Sequence, residues 1–175
     1  EFDGLIRAGN LDFEGDAFSF DFDEFSIRMN QITGVRMSVN DPGLTDQRGR
    51  HAKKRLKSTL EQVSGMLRVD HPTNRSGMRS QNFPDYPVFL SEGNSFVYFD
   101  QPSLHDGAYN RDDFYYAVSP FEMRGLDELT QENLSFEGTL VSAGILSDLS
   151  EPLRVMDDLH LGFMTTTPPN GQGIY

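Results

Sequence analysis

Three pairs of closely spaced acidic residues are the first candidates for chemistry in this sequence. They are Asp21 with Asp23, Asp112 with Asp113, and Asp157 with Asp158. Retaining glycosidases place two carboxyl groups about 5 Å apart, and inverting ones roughly 6.5 to 9.5 Å apart; residues i and i+2 of a strand share one face and can meet the shorter distance. An acidic chain produces such pairs readily, and surface carboxylates ordinarily face water. We therefore expect Asp21 and Asp23 to solvate the wet face of a strand.

A second acidic group, formed by Asp12, Glu14 and Asp16, surrounds a predicted hairpin turn. Carboxylate oxygens are the ligands that calcium prefers, so this group is a candidate calcium site, although the spacing of an EF-hand loop is absent. The four histidines form no HxH or HxxxH pair, and a metal site built from them would need residues distant in sequence to converge. Calcium is thus the one candidate ion, and the sequence predicts no other cofactor.

Aromatic and polar residues are concentrated between positions 98 and 116. Carbohydrate sites combine apolar ring surfaces with a few acidic and amide hydrogen-bonding groups, and this segment contains both kinds of residue. The candidate ligand-binding residues are Tyr98, Asp100, His105, Asp106, Tyr109, Arg111 and Tyr115. The absence of tryptophan weakens this interpretation, and Tyr115 and Tyr116 must point in opposite directions if they lie in a strand.

The common catalytic motifs are missing. The sequence contains no GxSxG, no P-loop and no GxGxxG, so the esterase, nucleotide hydrolase and dinucleotide-binding classes lack support. It also contains no cysteine, which excludes a thiolate nucleophile and a disulfide framework. We therefore predict a protein that is not an enzyme.

The composition limits the partners. The chain has 27 acidic and 15 basic residues, a net charge of -12 and a pI near 4.6. Nucleic-acid surfaces need a supply of Lys and Arg, so a nucleic-acid partner is excluded, and no apolar run approaches the ~18 residues of a membrane span. A length of 175 residues fits one domain over positions 1–175. Since the chain opens on Glu1 and already reads as a strand at Phe2, we interpret it as part of a longer protein.

The elements that must position these residues begin with a segment from Leu11 to Val39 that alternates apolar and polar residues. Period-two alternation predicts strands with one dry and one wet face. We expect a meander of short strands with turns at Glu14-Gly15-Asp16, Asp23-Glu24 and Thr33-Gly34, followed by a turn at Asn40-Asp41-Pro42-Gly43. Phe18, Phe20 and Phe22 form the dry face of one strand, which is core, an interface with a neighbour or the lining of a lipid-conducting groove.

Residues 41–62 interrupt this alternation with a polar and basic segment. Six of the fifteen Lys and Arg residues lie between Arg48 and Lys57, and a weak helical stripe predicts either a short amphipathic helix or a polar insertion. Strands return afterwards, and the segment Ser95 to Phe99 is apolar on both faces, which predicts burial on both. Leu126 to Leu129 resembles one helical turn, and residues 165–175 resemble a linker.

Together these patterns predict a mainly β domain. We expect an antiparallel meander of short strands that forms a sandwich, roll or solenoid-like layer, with at most one or two short helices. One internal echo supports repetition: Phe136-Glu137-Gly138 and Ala143-Gly144 match Phe2-Asp3-Gly4 and Ala8-Gly9 with one extra residue between them. Repeated β units bury the faces that their neighbours leave open.

Four stretches carry a family resemblance: LEQVSGMLRVDHPTNRSG, YPVFLSEGNSFVYFD, DDFYYAVSPFEM and LSFEGTLVSAGI. They resemble modules of very large β-rich envelope proteins of Bacteroidota-type bacteria. The resemblance implies an exported protein, in the periplasm or at the cell surface, whose partners are neighbouring modules of the same chain or other envelope proteins. It implies no catalytic residues. The leading hypothesis is a structural or scaffold module, and the alternatives are a carbohydrate-binding domain and a lipid-conducting groove.

Overall fold

The computed structural model describes residues 1–75, 81–102, 104–144 and 150–164, without the side chain of His105. The described chain is mainly β, as the sequence predicts, and its only helical segments are three short 3₁₀ turns at Pro72–Asn74, His105–Gly107 and Leu126–Glu128. The strands are β1 (Phe2–Ala8), β2 (Leu11–Asp21), β3 (Ser26–Thr45), β4 (His51–Arg68), β5 (Val88–Glu92), β6 (Ser95–Tyr98), β7 (Phe114–Val118), β8 (Glu122–Met123), β9 (Ser135–Phe136), β10 (Gly138–Ser142), β11 (Leu153–Val155) and β12 (Leu161–Gly162).

Two antiparallel sheets form two layers. The main sheet has the order β1-β2-β3-β4-β6-β7-β10, with β5 pairing β4 and β8 pairing β5, and the small sheet has the order β12-β11-β9. One continuous core joins them, because side chains of the small sheet such as Phe136, Leu153 and Leu161 belong to the same buried cluster as Phe13 and Leu60 of the main sheet. The main sheet therefore has an inner face, covered by the small sheet and loops, and an outer face that carries most of the charge.

The β1–β2–β3 meander confirms the predicted alternation but not all its turns. β1 lies where it was predicted, and the phase change at Asp23-Glu24 is the β2–β3 hairpin turn, in which the Asp21 carboxylate accepts hydrogen bonds from both of those backbone N–H groups at 2.9 and 3.0 Å. The turns predicted at Glu14–Asp16 and Thr33–Gly34 are wrong, because β2 and β3 run through them. The register shifts at Glu14/Gly15 instead, and a Cβ on Gly15 would lie 2.1 Å from the Gln31 carbonyl oxygen. Glycine here permits close approach of two strands rather than a turn.

The prediction for residues 41–62 is wrong. The turn predicted at 40–43 lies inside β3, and most of the supposed insertion is β4, a central strand of the main sheet. Leu56, Leu60, Val63 and Leu67 are buried at a spacing that imitates a helix. A bulge produces the imitation, since Gln62 has a φ of 55°, and Ser58 and Gly65 take the other inward positions. Small or polar residues at inward positions hid the period of two.

The predicted dry face of Phe18, Phe20 and Phe22 is divided. Phe18 is fully buried, whereas Phe20 and Phe22 are 47% and 60% exposed. β2 continues past the edge of the covering layer at Phe20, and Phe22 lies in the hairpin turn. The three rings therefore do not line one groove, and only Phe18 belongs to the core.

The two strands that carry the internal echo occupy the two ends of the main sheet. Among the described strands, β1 and β10 end the main path of this sheet and β8 ends its side branch; β1 and β10 are each followed by a glycine with positive φ, 61° at Gly9 and 80° at Gly144. β10 follows β9 after one residue, so the chain passes from the small sheet to the main sheet at Glu137. The linker predicted at 165–175 lies outside the described residues.

Candidate functional site

An aromatic cluster lies on the outer face of the main sheet, where β6 pairs with β7. The Phe96 and Tyr98 rings are stacked with centroids 6.1 Å apart, and Tyr115 meets them at 5.7 and 5.9 Å. Tyr98 and Tyr115 are directly opposite one another in the strand register, which brings their side chains together. All three side chains are half-buried, so the expectation that Ser95 to Phe99 is buried on both faces holds only for the inner face.

Arg111 closes this cluster. Its guanidinium carbon lies 4.0 Å from the centroid of the Tyr98 ring, and its nitrogens donate to both Glu61 carboxylate oxygens at 3.0 and 3.1 Å and to Asp100 Oδ2 at 2.8 Å. The two hydrogen bonds that the guanidinium donates to Glu61, followed by the one that it donates to Asp100, raise its pKa further above the ordinary value. We call Glu61, Phe96, Tyr98, Asp100, Arg111 and Tyr115 the outer cluster.

The bulge in β4 supplies two polar side chains to the outer cluster from consecutive positions. Glu61 binds Arg111, and the Gln62 side-chain amide donates to the Tyr98 hydroxyl at 3.1 Å. Partial burial raises the pKa of the Tyr98 hydroxyl, and the charge of Arg111 opposes this shift. The charged groups of the outer cluster are therefore paired with one another and with the face of the Tyr98 ring. These contacts join β4, β6, β7 and the loop before β7, and we call this arrangement a latch.

The inner face of the same two strands is different. Phe99 and Phe114 meet edge to face at 5.6 Å, and Tyr109 stacks on Phe114 at 4.3 Å. These rings form one wall of a cleft of about 400 Å³, whose other wall is the β11–β12 hairpin with Met156, His160 and Phe163. We call this the inner cleft.

Two contacts hold the β11–β12 hairpin against β4. The Lys57 backbone N–H donates to the Leu159 carbonyl at 2.8 Å, and the Leu161 N–H donates to the buried Ser58 hydroxyl at 2.8 Å. Ser58 therefore has a structural reason to point inward. Its position beneath the hairpin fixes the second wall of the inner cleft.

An Asp–His pair lies in the inner cleft. His160 is 4% exposed, and its Nδ1 lies 3.0 Å from Asp158 Oδ2. The His160 backbone N–H is the largest cause that holds the pKa of the Asp158 carboxyl below its ordinary value of 3.8, followed by the imidazole ring and with Lys57 contributing charge. Asp157, the next acid, is exposed, and Gln131 Nε2 lies 3.4 Å from its Oδ1.

The structure divides the sequence-predicted ligand-binding residues between two places. Tyr98, Asp100, Arg111 and Tyr115 come together in the outer cluster, whereas Tyr109 lies in the inner cleft. Asp106 is exposed in a 3₁₀ turn with a φ of 57°, and the side chain of His105 lies outside the described part of the chain. Tyr109 and Tyr115 therefore cannot belong to one binding surface.

The candidate calcium ligands lie along a strand rather than around a turn. Asp12 binds Arg55 at 2.7 Å and lies 3.8 Å from Arg7, and Glu14 binds Arg36 at 3.2 Å. Within the described residues, no group of three His, Cys, Asp or Glu side chains is placed to hold a metal ion. Arginines pair with the carboxylates of Asp12 and Glu14, and calcium binding by Asp12, Glu14 and Asp16 stays a prediction.

The acid pairs also have structural partners. Asp21 caps the β2–β3 turn, and Asp23 lies 3.5 Å from Arg75. Asn110 donates to Asp113 at 3.1 Å and accepts from the Asp112 backbone N–H at 3.2 Å. These contacts stabilise loops.

Sequence reasoning missed the contributions of β4 and β11–β12. Glu61 and Gln62 were assigned to the polar segment, and Phe96 and His160 to no site. A signal existed for Glu61 and Gln62, because two consecutive polar residues between Leu60 and Val63 indicate a bulge once the strand is recognised. Nothing in the sequence indicates that His160 would meet Phe99 and Phe114.

No helix in residues 1–75, 81–102, 104–144 and 150–164 is long and apolar enough to cross a membrane. Comparisons with models of known families, with curated proteins and with solved structures found no match to this chain.

Proposed function

We propose that this domain is a non-enzymatic structural module that joins neighbouring β modules through the ends of its main sheet. The observation that carries the proposal is the character of the two terminal strands. β10 (Gly138–Ser142) contains no charged residue, and β1 (Phe2–Ala8) exposes Phe2 and Leu5. Soluble monomers usually protect terminal strands with charges or cover them, because unpaired N–H and C=O groups accept a further strand.

The charged outer face supports the same proposal. Ion pairs connect neighbouring and next-neighbouring strands there, including Arg7–Asp12–Arg55, Glu14–Arg36 and Arg28–Glu92. Each exposed pair contributes little by itself, but together they fix the register of a large sheet while its ends stay available. This is the construction expected of a module in an exported envelope scaffold, which is the setting that the family resemblance implies.

The experiment is sedimentation velocity over a rising concentration series. We expect the domain to self-associate through β1 and β10, and we expect T139K to weaken that association because it adds a charge to an exposed position of β10. Q31K is the matched control, since Gln31 is exposed on the interior strand β3. A domain that stays monomeric throughout, or an equal effect of the two variants, would contradict the proposal. So would enzymatic turnover abolished by a single Asp or Glu substitution.

Carbohydrate binding is the second candidate, and the gathering of Tyr98, Asp100, Arg111 and Tyr115 favours it. The mutual pairing of the charged groups disfavours it, because a glycan would have to displace contacts already made. A glycan array tests it directly: binding that is lost in Y115A and kept in Y109A would place a sugar on the outer cluster.

A further inference from the structure

The inner cleft combines aromatic walls with an acidic margin. Phe99, Tyr109 and Phe114 form one wall, and Met156 and Phe163 belong to the other. Its volume of about 400 Å³ falls within the range of small-molecule sites. An apolar molecule of modest size would therefore find contact surface on both sides.

The charge near this cleft is mainly negative. Asp157 and Asp158 both line it, Asp158 Oδ2 lies 3.0 Å from His160 Nδ1, and the positive charge of Lys57 on β4 acts on Asp158. The Asp158 carboxylate is hydrogen-bonded to the His160 backbone N–H and to its ring. The exposed Asp157 has a weaker contact, with Gln131 Nε2 at 3.4 Å. The faces of aromatic rings also carry negative potential, so the rings and the carboxylates both attract a positively charged ligand. The net charge of -12 acts in the same direction.

We propose that the inner cleft binds an amphiphilic amine, with its apolar chain between the Phe114 and Phe163 walls and its ammonium group beside Asp157 and Asp158. This assignment is independent of the scaffold role, since it uses the inner face and the scaffold role uses the terminal strands. An anionic ligand would face two carboxylates, and a neutral one would gain nothing from them.

Three ligands that share one chain test the charge requirement: octylamine, 1-octanol and octanoate, each added below its aggregation concentration and followed by NMR on the full 175-residue chain. We expect octylamine to bind about tenfold more tightly than 1-octanol, which corresponds to roughly 1.4 kcal/mol of charge interaction. We expect octanoate to bind most weakly. Shifts should concentrate at the amides of Tyr109, Phe114 and Gly162.

Two variants separate the cleft from nonspecific attraction to an acidic protein. D157N should weaken octylamine binding several-fold without changing 1-octanol binding, and E24Q, which removes a remote exposed carboxylate in the β2–β3 turn, should change neither. Equal affinity for the three ligands would overturn the amine assignment. An equal loss in D157N and E24Q, shifts outside the cleft, or no binding of octylamine would overturn it as well. Self-association through the terminal strands does not affect these outcomes, because E24Q and D157N leave β1 and β10 unchanged.

Discussion

β6, β7 and the residues beside them place aromatic rings on both faces of the main sheet, and the two faces differ in what lies against these rings. On the outer face, Arg111 covers Tyr98 and is held by Glu61 and Asp100, so the rings and charges are closed together. On the inner face, Phe99, Tyr109 and Phe114 border an open cleft, and the acids Asp157 and Asp158 stay at its margin. The same residue types therefore form a closed cluster under Arg111 on one face and border a cleft on the other.

Three consecutive residues of β7 allow this comparison to be tested within one strand. Phe114 borders the inner cleft, Tyr115 belongs to the outer cluster, and Tyr116 is fully buried in the core. Tyr115 points to the face opposite Phe114 and Tyr116, and Tyr116 is more deeply buried than Phe114, so each substitution probes a different environment at nearly the same place.

The largest effect is expected for Y116A. It removes a fully buried ring whose hydroxyl donates to the Glu151 carbonyl at 2.8 Å, and truncation of buried aromatic residues costs about 3 to 5 kcal/mol. Y116F should cost only about 1 kcal/mol, because it loses the hydrogen bond and keeps the ring. Urea denaturation measures both free energies of unfolding, and equal values for the two variants would show that the ring does not pack as described.

Opening the outer cluster should have the next largest effect. R111A should lower the free energy of unfolding by about 1 to 2 kcal/mol, since it removes a bidentate charged contact and a cation–π contact that are partly exposed to water. R111K should restore only part of this loss, because lysine cannot make the bidentate contact. Full restoration by lysine, measured by the same denaturation series, would mean that only the charge matters.

A smaller effect on stability is expected at the inner cleft. Y109A should cost less than about 1 kcal/mol, because the ring is half-buried and borders open space on one side. The matched comparison is Y115A, which removes the same kind of side chain from the closed cluster and should cost more. A larger loss for Y109A than for Y115A would reverse the distinction between latch and cleft.

The smallest expected effect is on how the stability of the fold depends on pH. The folded-state pKa of Asp158 is lowered, chiefly by the His160 backbone N–H. The ionised carboxylate therefore stabilises the fold at pH values above its unfolded pKa of about 3.9. This stabilisation is lost as the pH falls through the lower folded-state pKa. D158N should therefore show a shallower decline of stability below about pH 4 than the wild-type chain. Thermal unfolding between pH 2 and 6 measures the slope, and parallel curves would contradict the assigned contact.

The sequence predicted the class of fold because period-two alternation is visible along strands such as β2, where Leu11, Phe13 and Phe18 are buried between exposed or half-buried polar residues. It failed in β4, where Ser58 and Gly65 replaced apolar residues at inward positions and the bulge at Gln62 shifted the period. Gly15 was predicted to lie in a turn, but it lies where the backbones of β2 and β3 approach closely. Both situations favour glycine, so the residue type alone does not distinguish them.

The candidate site was predicted in part for a related reason. Proximity in sequence brought Tyr98, Asp100, Arg111 and Tyr115 onto one face, since β6, the following loop and β7 are consecutive. The alternation of strand faces sent Tyr109, through its contact with Phe114, to the other side. Glu61, on β4, and His160, in the turn before β12, lie about 40 residues or more away along the chain, and only the tertiary fold places them.

We propose that the outer cluster stabilises the domain while the inner cleft binds a ligand. The most direct measurement is the urea midpoint of R111A and Y109A, each with and without octylamine, because a ligand of the folded state raises the midpoint only where its site is intact. We expect octylamine to raise the urea midpoint of R111A as much as that of the wild-type chain, and to raise that of Y109A much less. Stabilisation of Y109A to the wild-type extent, or its loss in R111A alone, would contradict it.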